Sequence, residues 1–590
     1  MRRQVAEIQN LLNQDTLARE IVSMYDSYNS QRQKQIASWL ELRNYLFATD
    51  TRSTTNAKNG WKNSTTIPKL TQIRDNLHAN YMAALVPSDD WIKWEAYDKT
   101  GKDAKKVKAI KAYIDTKLRE SGFRETIAQI LYDFIDYGNC MGEVIYVNQT
   151  RVDEVTGEEV AGYIGPKLVR ISPYDMVFNP LSPSFKEAPK ITRYLKSMGD
   201  LELELRNRPD LEYNADIIAK CRDLRMKYSG YKTEDFNKAT AIQVDGFGDF
   251  YTYLGSNIVE ILEFEGNIYD YENNILLENY IITVVDRTWV VRKQQNPSWL
   301  GYASKLHAGW RERPDNLYAM GPLDNLVGMQ YRLDHLENLK ADALDLTIHP
   351  PLKVVGTVEP FEYGPFAVIR LPEDGDVVPM PPNQAAFQVN NEIMLIMQLM
   401  EEMAGAPKEA MGFRTPGEKT AFEVQQLQMS AGRIFQDKIT KFEMEFLEPC
   451  LNMMLEVARR SIDTVDLARV MDDDFGVEDF ITITKEDITA KGKIKPVGAR
   501  HFAAQAQLVQ NLVSLSNTRI WDTVAPHISA KKMSRYIENL LQLERAELFR
   551  DNVAIFEQAE TQQLVNQTSQ DLQVMQETPG IEEGLMEGLV

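Results

Sequence analysis

Residues 321–460 constrain this 590-residue chain more than any other stretch, because two strongly patterned helices bracket a Pro-rich insert, and a Gly/Pro/basic loop and one very long helix follow. In the first helix Leu326, Met329, Leu333, Leu336, Leu339, Ala343 and Leu346 recur every three or four residues, which places them on one helical face. Pro322 stands where a first turn tolerates a missing donor. The other face carries Asp324, Arg332, Asp334, Glu337, Lys340 and Asp342. The pattern stops at His349-Pro350-Pro351, since a proline pair removes donors and pushes the preceding residue out of the helical region. Residues 352–384 then read as a small β-rich module, with strands at Leu352–Val355 and Ala367–Leu371 and a close at Pro379-Met380-Pro381-Pro382.

A second helix is expected from Val389 to Met403, apolar around much of its circumference through Ile393, Leu395, Ile396, Leu399, Met400 and Met403, as befits a helix with neighbours on more than one side. Residues 405–419 form a loop with Gly405, Gly412 and Gly417 as hinges and Lys408, Arg414 and Lys419 as cations. Thr420 with Glu423 fits a capping box, each side chain satisfying a backbone N–H that the first turn leaves orphaned. The helix beyond it keeps its apolar spacing to Arg459-Arg460, about 40 residues or roughly 60 Å. Pro449 lies inside and is expected to kink it one turn earlier, near Glu445.

These residues resemble the portal proteins of tailed bacteriophages, most closely those of the short-tailed, podovirus type. The resemblance is carried by Tyr318-Ala-Met-Gly-Pro-Leu-Asp-Asn-Leu with its helix, by Arg414-Thr-Pro-Gly-Glu-Lys-Thr-Ala-Phe-Glu-Val-Gln-Gln-Leu with its helix, and by Tyr137-Gly-Asn-Cys-Met-Gly-Glu-Val-Ile-Tyr and Ile171-Ser-Pro-Tyr-Asp. It implies an α+β, predominantly helical subunit in a fixed order: a wing over residues 1–317, a first stem helix over 318–349, a clip over 350–387, and a second stem helix over 388–404. A tunnel loop over 405–419, a long kinked helix over 420–460, a wing return over 461–497, crown helices over 498–555 and a disordered tail over 556–590 complete it. As a function it implies a ring, of twelve copies in that family, at one capsid vertex of the virion. Double-stranded DNA would pass through the ring in packaging and ejection. A terminase, then a tail adaptor, would dock on the clip, and capsid and scaffold proteins would be further partners of a chain made in the host cytoplasm. The resemblance carries over no catalytic residue and no cofactor.

The rest of the chain is consistent with a large globular protein. Residues 5–95 are mostly helical in pattern with a Thr/Asn/Ser/Gly-rich break at 49–66, and Leu70, Ile73, Leu77, Met82 and Leu85 mark an amphipathic helix. A helix pair is expected over 103–137, a hairpin over 141–180 turning near Thr156-Gly157, strands at Ile258–Glu265, Tyr280–Arg292 and Phe480–Thr484, and helices at 502–515 and 531–552. Cys140, Cys221 and Cys450 lie far apart, without paired spacing, which fits a reducing compartment better than a disulfide framework. The amino terminus has no apolar h-region, and no apolar run approaches 18 residues, so neither secretion nor a membrane span is expected.

A net charge of −20 argues against tight duplex binding, which depends on cations that release phosphate counterions. It suits a channel wall along which DNA must slide, and equally a chain kept soluble by charge. The stretch Gly412 to Thr420 nearly matches a P-loop, but Glu418 separates Gly417 from Lys419 and an apolar helix, not a strand, precedes it. The six histidines show no HxxxH or HExxH spacing, and Asp472-Asp473-Asp474 and Glu401-Glu402 read as solvated runs, so no metal site is expected. Lys102, Lys105, Lys106, Lys108 and Lys111 have the spacing of a surface helix, with DNA contact as the alternative. Against a non-enzymatic ring subunit stand two rival readings, a terminase-like packaging ATPase and a monomeric helical scaffold protein.

Overall fold

The computed structural model describes residues 15–51, 63–86, 91–97, 104–152, 159–207, 211–228, 257–298, 304–356, 371, 375–380, 388–404, 435–461, 465–471, 478–484 and 492–496. The chain divides into two compact units, Met1–Ala468 with Thr482–Gly498, and Arg469–Ile481 with Ala499–Val590. The expected tunnel loop, capping box, crown helices and tail lie outside the described residues, as does the expected strand at Ala367–Leu371 up to residue 370.

The first unit is mixed α+β. It opens with α1 (Thr16–Gln31), α2 (Gln33–Leu46), α3 (Lys69–Leu85), β1 (Ile92–Ala96), α4 (Ala104–Glu120) and α5 (Phe123–Asp136). Next come β2 (Asn139–Val152), β3 (Glu159–Ile171), β4 (Met176–Phe178), β5 (Lys190–Ser197), α6 (Met198–Asn207), α7 (Ala215–Tyr228), β6 (Ile258–Asp270), β7 (Ile275–Val285) and β8 (Trp289–Gln295). There follow β9 (Lys305–Gly309), β10 (Arg311–Arg313), β11 (Asn316–Met320), α8 (Val327–Ile348), β12 (Leu352–Val355), β13 (Asp376–Pro379), α9 (Val389–Met403) and α10 (Glu448–Ser461). Its last strand, β16 (Gly492–Pro496), returns to β1, while β14 (Val465–Met471) and β15 (Glu478–Thr484), which pair with each other, each run across the boundary between the units.

A five-stranded antiparallel sheet, in the order β4-β5-β6-β7-β8, forms the larger core. Because strand side chains alternate between faces, Leu262 and Phe264 of β6 meet Leu17, Ile21 and Tyr25 of α1, while Val259 and Ile261 meet Leu201 of α6 and Ile218 and Cys221 of α7. A three-stranded sheet, β3-β2-β9, stands beside it. Buried charge joins the two: Lys305 of β9, with its side chain fully buried, reaches Glu263 at 2.6 Å and Glu265 at 3.1 Å on β6, and Tyr194 of β5 donates to Glu143 of β2 at 2.7 Å. Burial pushes the Glu263 carboxyl up, but the Lys305 and Arg292 cations outweigh it and hold that group down to about 2.

Two local departures from the sequence reading have clear causes. The stretch Tyr280–Arg292 is not one strand but the end of β7, a turn, and the start of β8. Its central residues Asp286 and Arg287 take φ of 50° and 54° without glycine, a conformation costing on the order of 1 kcal/mol or more per residue. Ion pairs hold it, Arg225 to Asp286 at 2.9 Å and Arg287 to Glu260 at 2.9 Å. Likewise the helix expected from residue 318 begins at Val327, after a 3₁₀ turn at Asp324–Leu326. Residues 316–320 are instead a strand, and the Asn139 side chain bonds both backbone groups of Ala319, at 2.9 Å each, as a neighbouring strand would. Gly138 sits against this segment at φ +66°, where an added Cβ would lie 2.3 Å from Gly321 N.

Residues 435–461 are helical throughout, with a π turn at Glu443–Leu447. Pro449 follows it and has no N–H for the carbonyl four residues earlier, that of Glu445. Phe446, Leu447, Cys450 and Leu451 are fully buried here.

Candidate functional site

The pair α8 and α9, with the β12–β13 ladder between them in sequence, is the most distinctive surface of the described residues. Its inner face is polar. Gln330, Asp334, Asn338 and Asp342 recur at intervals of four along α8 and so form one stripe. Residues 63–67, a strap without regular structure, lie along that stripe. Asn63 N–H donates to Asp342 at 3.0 Å, Thr65 N–H to Asn338 Oδ1 at 2.8 Å and Ile67 N–H to Asp334 Oδ1 at 3.1 Å. Asn338 Nδ2 donates back to Thr65 O at 2.7 Å, and Gln330 Nε2 to Ile67 O at 2.6 Å. The side chains thus do for the strap what a ladder does for a strand, since buried backbone polar groups require partners.

Asp334 is fully buried. Burial pushes its carboxyl up to about 6, opposed by the Ile67 N–H, the Thr66 hydroxyl and Gln330. The other helix is anchored by charge, as Lys69 at the start of α3 meets Glu401 near the end of α9 at 2.5 Å, with side-chain exposures of 4% and 7%. Leu333 and Leu336 of α8 and Ile393, Ile396 and Met400 of α9 are buried.

The outward face exposes large apolar side chains among polar ones such as Glu392, Gln398 and Glu402. Leu395, Leu399 and Met403 of α9, spaced i, i+4, i+8 on one helical stripe, are exposed at 55%, 39% and 50%, and neighbouring Met394 at 71%. On α8 Leu339, Leu346 and Ile348 are exposed, as are Val354, Val355 and Val378 of the ladder. Exposed large apolar side chains gathered on one helix pair point to an interaction site, and full burial of one such side chain is worth about 1.5–3 kcal/mol.

The sequence reading had this helix partly inverted. Asp334, placed on its polar face, is buried, and Leu339 and Leu346, placed on its apolar face, are exposed. A rule that sends charge to water had no means of knowing that the strap supplies donors. The spacing Gln330-Asp334-Asn338-Asp342, together with a Thr/Asn/Ser-rich segment in need of partners, was the available signal.

Of the named loop residues, Lys408, Arg414, Lys419, Gly405, Gly412, Gly417, Thr420 and Glu423 lie outside the described residues. Among the described residues no group of three or more His, Cys, Asp or Glu is arranged to hold a metal ion, and no helix is long and apolar enough to cross a membrane. Cys140, Cys221 and Cys450 are buried free thiols, each pushed up by burial.

Residues 18–156 match a protein family described as bacteriophage head to tail connecting protein. The matched stretch runs from α1 past the end of β2 and so covers the helices on which the α8–α9 pair is anchored. It supports a phage head-to-tail connector. No curated protein matches the chain.

Proposed function

We propose that the chain is the ring-forming subunit of a phage portal, of the podovirus type, at one capsid vertex. The observation that carries this reading is the outward apolar face of α8 and α9, taken with the match to a head-to-tail connector family. In a closed cyclic assembly one surface of each subunit meets a different surface of the next. An apolar stripe on one side of a helix pair whose other side is already occupied suits that geometry.

On this reading α8 and α9 are the stem, residues 350–387 the clip and residues 405–419 the tunnel loop. The subunit catalyses no reaction and takes no cofactor. DNA is driven inward by a separate ATP-hydrolysing terminase docked at the clip, where a tail adaptor later binds, and capsid and scaffold proteins surround the ring. The acidic composition, −20 overall, keeps the duplex from adhering to the wall. Lys408, Arg414 and Lys419 serve as loose phosphate contacts that retain packaged DNA. Replacing all three by Ala is expected to leave ring assembly intact and lower the fraction of particles that keep their genome; unchanged retention contradicts that role.

Native mass spectrometry with negative-stain imaging of the purified chain tests the reading. A closed ring with a central opening, near twelve copies and about 0.8 MDa for a 67.6 kDa subunit, supports it. A concentrated sample that remains monomeric and hydrolyses ATP overturns it.

A further inference from the structure

Between the segment 183–186, the β10–β11 hairpin and the π turn lies a cavity of about 640 Å³, within the range of small-ligand sites. Its walls are largely apolar, with Phe185, Leu306, Leu317 and Met444 among the lining residues. Glu445 lines the same space from the π turn, an element that recurs at functional sites.

The charged groups around the cavity are unequally engaged. Lys305 is committed to Glu263 and Glu265, and Lys441 to Glu312 at 3.0 Å. His307, beside Asn139 at 3.1 Å, is held down to about 3 by burial and so stays neutral. Lys186 and Arg313 stand at the exposed rim. Glu445 accepts the Gly309 N–H, while its nearest ammonium, that of Lys441, is 3.9 Å away, too far for a hydrogen bond.

We propose that this cavity binds a cation carried on an apolar body, an alkylammonium or guanidinium whose charged head pairs with the Glu445 carboxylate. Burial, with Glu312 nearby, pushes that carboxyl up to about 7 against the pull of Lys441 and Lys438. Cation binding therefore strengthens as pH rises through neutrality and Glu445 loses its proton.

Calorimetric titration of the full chain with 4-phenylbutylamine, 4-phenylbutanol and 4-phenylbutyrate tests this. The amine is expected to bind about tenfold more tightly than either analogue at about pH 8, with the advantage shrinking at about pH 6. Glu445→Gln is expected to remove the preference for the amine, and Met444→Trp, a change at an exposed wall residue, to block all three ligands. A parallel titration with the acetylated, amidated peptide Leu-Pro-Lys separates a protein side chain from a free amine as the source of the cation, and tighter binding of either supports the site. Equal binding of the three analogues, no binding of either cation, or amine binding unaltered by Glu445→Gln overturns it.

Discussion

The two faces of the α8–α9 pair solve opposite problems. Inward, the polar stripe finds partners as it leaves water: Asp334, Asn338 and Gln330 read the strap's backbone, and Lys69 meets Glu401. Outward, Leu395, Leu399, Met403 and Met394 stay exposed among the described residues. Paired buried polar groups fix geometry, because a misplaced partner is costly, whereas apolar contact is non-directional and scales with area. The inner face therefore sets where the helices stand, and the outer face rewards whatever covers it.

That contrast can be broken from the inside first. Lys69→Met leaves the Glu401 carboxylate buried without its ammonium, and loss of one partner of a buried pair costs about 3–5 kcal/mol; a large fall in the thermal midpoint is expected. Adding Glu401→Leu is expected to recover much of it, since an apolar pair avoids the desolvation penalty. A single variant as stable as the parent would remove the clamp from the account.

Titration gives a smaller, signed effect. With its folded value raised to about 6, above about 3.9 in the unfolded chain, Asp334 binds more protons when folded. Its contribution is thus fully present below about pH 4 and is lost as pH rises toward 6. Asp334→Asn removes this dependence, so the stability of the variant minus that of the parent should climb between about pH 4 and 6, whatever constant offset the amide introduces. A flat difference would mean that Asp334 titrates as an ordinary carboxylate.

The smallest effect is expected at the exposed Arg332–Glu392 pair, 3.5 Å apart with side-chain exposures of 50% and 56%. Arg332→Ala should change stability by about 0–1 kcal/mol and less in high salt. A larger loss would show that the polar clamp reaches beyond the buried stripe.

Much of the helical framework was legible in the sequence. The second helix, Val389–Met403, has the bounds its pattern implies, and the helix pair of α4 and α5 falls where the sequence put it, whereas the hairpin expected over 141–180 ends with β3 at Ile171 and Met176–Phe178 joins the five-stranded sheet instead. What escaped has a common physical origin in tertiary partners. The Asp286-Arg287 turn lacks the glycine that advertises positive φ and is secured by Arg225 and Glu260. β13 consists of Asp376–Pro379, within a stretch whose prolines suggested a close, not a strand. Asn139, acting on Ala319 from 180 residues away, turns the expected first helical residues into a strand. For the candidate site, composition revealed that α9 wanted neighbours on more than one side, and only the packing distinguished the covered side from the open one.

The most direct test of the central claim is the assembly state of a variant with Met394→Glu and Leu395→Glu, measured by native mass spectrometry beside the parent, with thermal unfolding of each subunit. Both positions are more than half exposed, so the folded subunit should keep its thermal midpoint. The parent is expected to form a closed ring and the variant to lose it. A variant that assembles as the parent does would contradict the assignment of this face to subunit contacts.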